Sequence, residues 1–110
     1  MFLRAFESDF KATYECTRIV FEEENETSEW DETLIVQIDP SSGRYRTKRR
    51  RTHSMGVIED GEWAYRKIEK VTKKGQASTV FLLSNLMNVE VNARGYARLN
   101  LTDKGRELYR

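Results

Sequence analysis

The sequence predicts an α+β domain made mainly of an antiparallel sheet built from hairpins, with a short N-terminal helix and a short C-terminal helix. Three observations lead to this class. Several segments alternate apolar and polar residues with a period of two, which is typical of half-buried strands. Turn residues separate these segments, and both chain ends show the wider spacing of a helix. The length of 110 residues fits one domain over residues 1–110.

The first predicted element is a helix, because aromatic residues recur at every fourth position from Phe2 to Phe10. The period then changes to two, which places Cys16 on the inward face of a strand. The apolar phase next shifts to Ile19 and Phe21. This shift predicts a β-bulge in the two residues between Cys16 and Ile19.

The middle of the chain predicts two hairpins. The segment TLIVQID places Leu34, Val36 and Ile38 on the inward face of a strand. The sequence DPSSG then predicts a turn, because Pro fixes φ and Gly43 accepts a positive φ at the exit. The sequence VIEDGEWAY predicts a second hairpin, with its turn at Asp60–Gly61.

Residues 62–85 fit two structures. The segment EWAYRKIEKVTKKG presents apolar residues on one helical face, with Gly75 as C-cap, and it also fits a strand that enters a turn at KKGQ. The segment STVFLLSNLM is equally ambiguous. Further on, VEVNARGYARLNL predicts a hairpin, and Thr102 caps a short final helix that turns Leu108 inward.

Charge is distributed unevenly along the chain. The formal net charge is only +1, but residues 1–32 hold three bases against ten acids, and the other residues hold sixteen bases against eight acids. Such asymmetry indicates a charged partner, or one part of the chain screening another. The near-neutral total therefore does not exclude nucleic acid as a partner.

The densest basic segment is RYRTKRRRTH, residues 44–53, here called the basic arm. In a strand, alternate residues share a face. We therefore expect one face of the arm to be basic along its whole length, and the other to change from Tyr45 and Thr47 to arginine. Beyond residue 47 neither face is apolar, so the arm should project from the core. Its predicted nucleic-acid-binding residues are Arg44, Tyr45, Arg46, Lys48, Arg49, Arg50, Arg51 and His53, with Arg94 and Arg98 as a second contact.

An acidic segment, EEENETSEWDE, precedes the second strand. It reads either as a solvated loop or as the electrostatic partner of the basic arm, within one molecule or across a dimer. Trp30 either anchors this segment or contacts a partner. The residues assigned to partner binding are Trp30, Glu29 and Asp31.

The segment YARLNLTDKGREL resembles the wing and last helix of winged-helix DNA-binding proteins. The resemblance rests on Leu101, Thr102 and Gly105, and covers some fifteen residues. It implies that Arg94 and Arg98 reach DNA, and that ASTVFLLSNLMN is a recognition helix. That segment lacks the basic residues usual in a recognition helix, and the first sixty residues read as largely β.

Catalytic and metal-binding signals are weak. Cys16 and His53 are the chain's only Cys and His, so we expect no metal site and no cofactor. Cys16 reads as a core thiol and His53 as a loop residue. There is neither a glycine-rich phosphate loop nor an apolar run of membrane-spanning length. We therefore expect a cytoplasmic protein that is not an enzyme and does not bind membranes.

These observations favour a small, non-catalytic, regulatory nucleic-acid-binding protein that contacts the phosphate backbone through a basic β-hairpin arm. The first alternative is a charge-driven interaction or inhibitor protein, such as a phage-type regulator of a host complex, which docks on an acidic protein surface. The second is a β-barrel that binds a small apolar ligand, which requires residues 62–85 to be strands around a cavity. A homodimer is left open.

Overall fold

Period-two strands dominate the computed structural model, which describes residues 9–22 and 29–109, except for the side chains of residues 21 and 22. The elements of the described residues are β1 (Tyr14–Glu22), β2 (Trp30–Asp39), β3 (Arg44–His53), β4 (Ile58–Asp60), β5 (Ala64–Lys67), β6 (Lys70–Lys74), β7 (Ser78–Leu82), β8 (Met87–Asn92), β9 (Ala97–Leu101) and α1 (Asp103–Leu108).

The predicted α+β class is wrong. The protein is mostly antiparallel sheet, with 59% strand, 6% helix and a single short helix, at the C-terminal end, among the described residues. The N-terminal helix predicted from Phe2 falls mostly outside the described residues, and Asp9 and Phe10, which are described, are not helical. The ring of Phe10 instead packs edge-on against Tyr65, with centroids 5.7 Å apart. The aromatic spacing therefore reflects packing on a sheet at Phe10.

The strands form two antiparallel sheets. The first has the order β1-β2-β3, with β4 and β5 both paired to β3, and the second has the order β6-β7-β8-β9. Ile68 and Glu69 carry the chain from one sheet to the other. The Ile68 amide donates to the Gly43 carbonyl and the Glu69 amide to the Leu82 carbonyl, both at 2.8 Å. The corner between the sheets therefore keeps its backbone hydrogen bonds.

The alternatives left open at residues 62–85 resolve as strands, because β5, β6 and β7 lie in this range. The segment ASTVFLLSNLMN contains β7 and the start of β8, so it is not a recognition helix. The hairpin expected at Asp60–Gly61 does not form either. Asp60 pairs with Arg50 and Ala64 with Thr47, so β4 and β5 are one strand along β3 with one extra residue, a β-bulge. The chain reverses earlier, at residues 54–57.

The bulge predicted in β1 occurs later than expected. The register with β2 shifts between Ile19 and Phe21, so the alternation that begins at Cys16 continues through Val20. Val20 is therefore buried, at 4% exposure, and Ile19 is 56% exposed. The prediction that Ile19 points inward is wrong.

The core lies between the two sheets. Its fully buried side chains include Leu34, Val36 and Ile38 from β2, as predicted, and Val89 from β8. Burying such side chains contributes about 1.5–3 kcal/mol each. The first sheet presents this core on what we call its inner face, and the opposite side is its outer face.

The short helix α1 covers one end of the core. Its predicted cap is confirmed, because the Gly105 amide donates to Thr102 Oγ1 at 3.1 Å. Leu108 is 57% exposed, so its predicted inward position is wrong. Among the described residues, no helix has the length and apolar character needed to cross a membrane.

Candidate nucleic-acid interface

The register of β3 separates the basic arm into two faces, as the alternation predicts. Arg44, Arg46, Lys48 and Arg50 lie on the outer face, and Tyr45, Thr47, Arg49 and Arg51 lie on the inner face. The projection of the arm holds only in part. The Lys48 side chain is 14% exposed, whereas that of Arg51 is 52% exposed. A basic face can thus be covered when aromatic rings are placed on it.

Arg46 lies at the centre of an aromatic cluster on the outer face. Its guanidinium carbon is 4.3 Å from the ring centre of Trp63, 4.5 Å from Phe10 and 5.6 Å from Tyr65. Its Nε donates to Gln37 Oε1 at 2.7 Å, and its Nη1 donates to the Tyr65 hydroxyl at 2.9 Å. These contacts fix the guanidinium plane among the rings, where cation–π attraction is strong.

Lys48 and Arg50 share one carboxylate, that of Asp60. Lys48 Nζ donates to Asp60 at 2.9 Å, and Arg50 donates through two nitrogens at 2.6 and 3.0 Å. Hydrogen bonding to Arg50 is the main cause that holds the pKa of Asp60 well below its usual range, and Lys48 adds to it. Lys48 Nζ also lies 4.4 Å from the centre of the Trp63 ring. Trp63 therefore covers two neighbouring cations of the row.

Arg44 is buried at the start of β3, at 5% exposure, where its Nε donates to Ser42 Oγ at 3.2 Å. Its register partner Asp39 is 1% exposed. Burial raises the pKa of Asp39, but hydrogen bonds from the Lys11 amide and from the side chains of Ser41 and Ser42 outweigh it and bring the pKa to about 2. This end of the arm therefore belongs to the structural turn, not to an accessible surface.

On the inner face, the outer half of the arm is held by acids and rings. Arg49 Nη1 lies 3.2 Å from Glu32, and its guanidinium is 5.3 Å from the ring centre of Tyr109. Arg51 lies 3.8 Å from Glu59 and 4.5 Å from the ring centre of Trp30. Much of the positive charge that the sequence concentrates in the arm is thus paired within the molecule.

His53 ends the arm beside Trp30 and Glu29. Its Nε2 lies 2.8 Å from Glu29 Oε2, its Nδ1 accepts the Met55 amide at 3.0 Å, and its ring meets Trp30 edge-on at 4.7 Å. Glu29 and Glu32 come from the acidic segment, so this segment does pair with the arm within one molecule. Its residues 23–28 lie outside the described residues.

Other predicted site residues lie elsewhere. Tyr45 is 3% exposed on the inner face, so it does not offer its ring to a base. Arg94 and Arg98 are exposed at the β8–β9 hairpin of the second sheet, where Arg98 is the register partner of Glu90. Asp31 is exposed on β2. The structure therefore does not join the second predicted contact to the basic arm.

The sequence argument missed the rings on the outer face and a line of lysines next to them. Trp63 and Tyr65 are half-buried there. Their spacing of two in EWAYRK was a strand signal, but the same segment also fitted a helix. The lysines on β5 and β6 are exposed and form no salt bridge within the described part of the chain: Lys67, Lys70, Lys73 and Lys74.

The turn between β3 and β4 carries exposed apolar side chains. Met55 is 81%, Val57 54% and Ile58 57% exposed. Trp30 and His53 lie at the base of this turn, since they are register partners. An exposed apolar group with a polar rim is typical of a protein-contact site.

No protein-family model, curated protein or solved structure matches the chain. Its function must therefore be inferred from the chemistry of these surfaces.

Proposed function

We propose that this protein binds single-stranded nucleic acid, without catalysis, on the outer face of its first sheet. The observation that carries the proposal is the pair of half-buried rings, Trp63 and Tyr65, in one patch with Arg46, Lys48 and Arg50. Proteins that bind single strands combine aromatic stacking platforms with cations that follow the phosphate backbone. A sheet face is a common support for such a platform.

The cations of this surface differ in what they can offer a phosphate. Arg46 is enclosed by rings, and Lys48 is largely covered, so both orient the platform more than they contact a backbone. The Arg50 side chain is 38% exposed, and Lys67 and Lys70 continue the positive charge at the corner between the sheets. We expect about three phosphate contacts, fewer than the six cations of the arm suggest.

The same features favour a single strand over a duplex. A stacking platform needs the flat face of a base, which a duplex covers with neighbouring base pairs. Stacking is tolerant of sequence, and phosphate contacts carry no sequence code. The protein we propose is therefore a general, cytoplasmic single-strand binder with little base preference.

Fluorescence anisotropy with a labelled oligothymidine and the matching duplex tests the proposal. Three contacts with a single strand correspond to a loss of about 20-fold in affinity between about 50 and 200 mM salt. Trp63→Ala should weaken single-strand binding about tenfold or more, which is the range of one stacked base. Its matched control is Tyr96→Ala, because Tyr96 is 70% exposed on the second sheet.

Two results would contradict this function. One is equal binding by wild type and Trp63→Ala, with the melting temperature of the variant showing that it is folded. The other is tighter binding of the duplex than of the single strand. Trp63→Phe keeps an aromatic ring over Arg46 and Lys48, so it should retain most of the binding.

A second candidate function is supported by the exposed turn between β3 and β4. Met55, Val57 and Ile58 there fit an apolar contact on a protein partner, flanked by the charged pairs of the arm. A pull-down with wild type, the double variant Met55→Ser/Ile58→Ser and the control Val71→Ser tests it. Val71 is 53% exposed on β6. A partner retained by the control and lost by the double variant supports this function, and equal capture by all three contradicts it.

A further inference from the structure

A cavity opens between the two sheets beside α1, on the opposite side of the first sheet from the proposed platform. Its volume is about 350 Å³, and its lining includes Tyr45, Arg66, Ser84, Met87, Leu108 and Tyr109. Tyr45 and Met87 are each 3% exposed, so they form the floor. Arg66 and Leu108 are exposed and form the rim. This volume lies at the small end of the range for ligand pockets in proteins.

Polar groups converge on the floor. The Tyr45 hydroxyl takes part in a hydrogen bond with the Ser84 side chain. Burial raises the pKa of Tyr45, and the positive charge of Arg66 opposes this rise, which places Arg66 close to the phenol. An apolar pocket with a few convergent polar groups is the usual form of a small-molecule site.

Arg66 supplies a cation that is not committed elsewhere within the described part of the chain, where no salt bridge includes it. Arginine on β3 has a different position, because Arg49 is paired with Glu32 at 3.2 Å. A planar guanidinium matches the geometry of a carboxylate, to which it can donate two hydrogen bonds. The rim is thus suited to one negative charge.

The walls are suited to a flat apolar body. Two tyrosine rings and the Met87 side chain line the cavity, and rings and thioether sulfur both make favourable contacts with aromatic ligands. We propose that this cavity binds a small aromatic carboxylate, with the carboxylate on Arg66 and the ring between Tyr109 and the floor. This site does not depend on the proposed nucleic-acid function, because the platform lies on the opposite face.

Nitrogen-15 NMR titrations of the full chain with benzoate and indole-3-carboxylate test the site. Each acid is compared with its neutral amide. We expect saturable shifts at Thr47, Ser84 and Met87, with a dissociation constant on the order of 1 mM, as for other ligands of this size. Arg66→Gln should weaken binding at least tenfold, and Arg66→Lys should weaken it less. Arg94→Gln, an exposed arginine of the second sheet, is the matched control.

Equal affinity for the acids and their amides would overturn the proposal, as would shifts that map to another surface. An absence of saturation with both acids would overturn it as well. Trp63→Ala separates this site from the proposed function, since it should reduce oligonucleotide binding and leave the titration with benzoate unchanged. Arg66 is exposed, so the melting temperature of Arg66→Gln should stay close to that of wild type.

Discussion

The two halves of the β2–β3 hairpin have the same strand geometry but different surroundings. In the proximal half, next to the Pro40 turn, Val36, Ile38 and Tyr45 are at most 3% exposed and face the second sheet. In the distal half, Trp30 and His53 pair at the far end, and the arginines there are held by carboxylates and rings. Position along one hairpin thus decides whether a side chain is structural or accessible.

The difference teaches how the arginines of one strand acquire separate roles. Arg44 is buried beside the turn, and Arg51 is half-exposed beside Trp30. Burial of apolar area stabilises the proximal half, whereas exposed ion pairs in the distal half contribute little because water and salt screen them. We therefore expect stability to depend on the proximal half and binding to depend on the distal half and its outer face.

The largest expected effect is in the proximal core. Ile38→Ala removes a side chain that is 0% exposed, so it should cost about 3–4 kcal/mol of unfolding free energy in a denaturant titration. Ile58→Ala, its distal counterpart at 57% exposure, should change stability by less than about 0.5 kcal/mol. Similar costs for the two variants would contradict the comparison.

The next effect concerns acid stability at the proximal turn. The pKa of Asp39 falls from 3.8 to about 2 on folding, so its stabilisation is complete above the unfolded pKa and is lost as the pH falls toward about 2. The contribution corresponds to about 2 kcal/mol at neutral pH. Asp39→Asn should lose it and flatten the stability profile between about pH 4 and pH 2. Asp31→Asn, at an exposed position on β2, should keep the wild-type profile.

A smaller effect is expected at Cys16, which pairs with Val36 in the proximal half and is 7% exposed. Burial raises the pKa of this thiol, and Glu15 adds to the rise. Cys16→Ser should cost about 1–2 kcal/mol, because a hydroxyl there needs a hydrogen-bond partner. Native Cys16 should react slowly with a thiol reagent, and rapid labelling without denaturant would show that this part of the core opens.

The smallest effect on stability is expected in the distal half. Asp60→Asn weakens the carboxylate contact of Lys48 and Arg50, and it should leave the melting temperature nearly unchanged. Each additional phosphate contact should increase the salt factor of single-strand binding about 2.5-fold between about 50 and 200 mM salt. Glu107→Gln, exposed on α1, is the control. A large loss of stability would show that the distal charges are structural.

Several features of this protein were predictable from local patterns. Alternation predicted the buried face of β2 and the two faces of the arm, and free-cysteine behaviour predicted the buried Cys16. Turn and cap chemistry predicted Gly43, with φ of 70°, and the Thr102 cap. The acidic segment was predicted to pair with the arm as one of two alternatives, and Glu29 and Glu32 do so.

The predicted helix, the turn at Asp60–Gly61 and the exposure of the arm were different, because each depends on distant residues. The choice between strand and helix at residues 62–85 was made by pairing of β5 with β3 and of β6 with β7. Local propensity is too weak to make such a choice when both patterns fit.

The sequence by itself determined which residues of the arm share a face, because alternation is a property of the strand backbone. Only the tertiary structure decided which of those charges remain accessible. Trp63 and Asp60 reach Lys48 from 15 and 12 residues away, through a bulge that no local signal marked. Covering a charged face requires partners brought together by folding, and their positions follow from strand pairing and burial over the whole molecule.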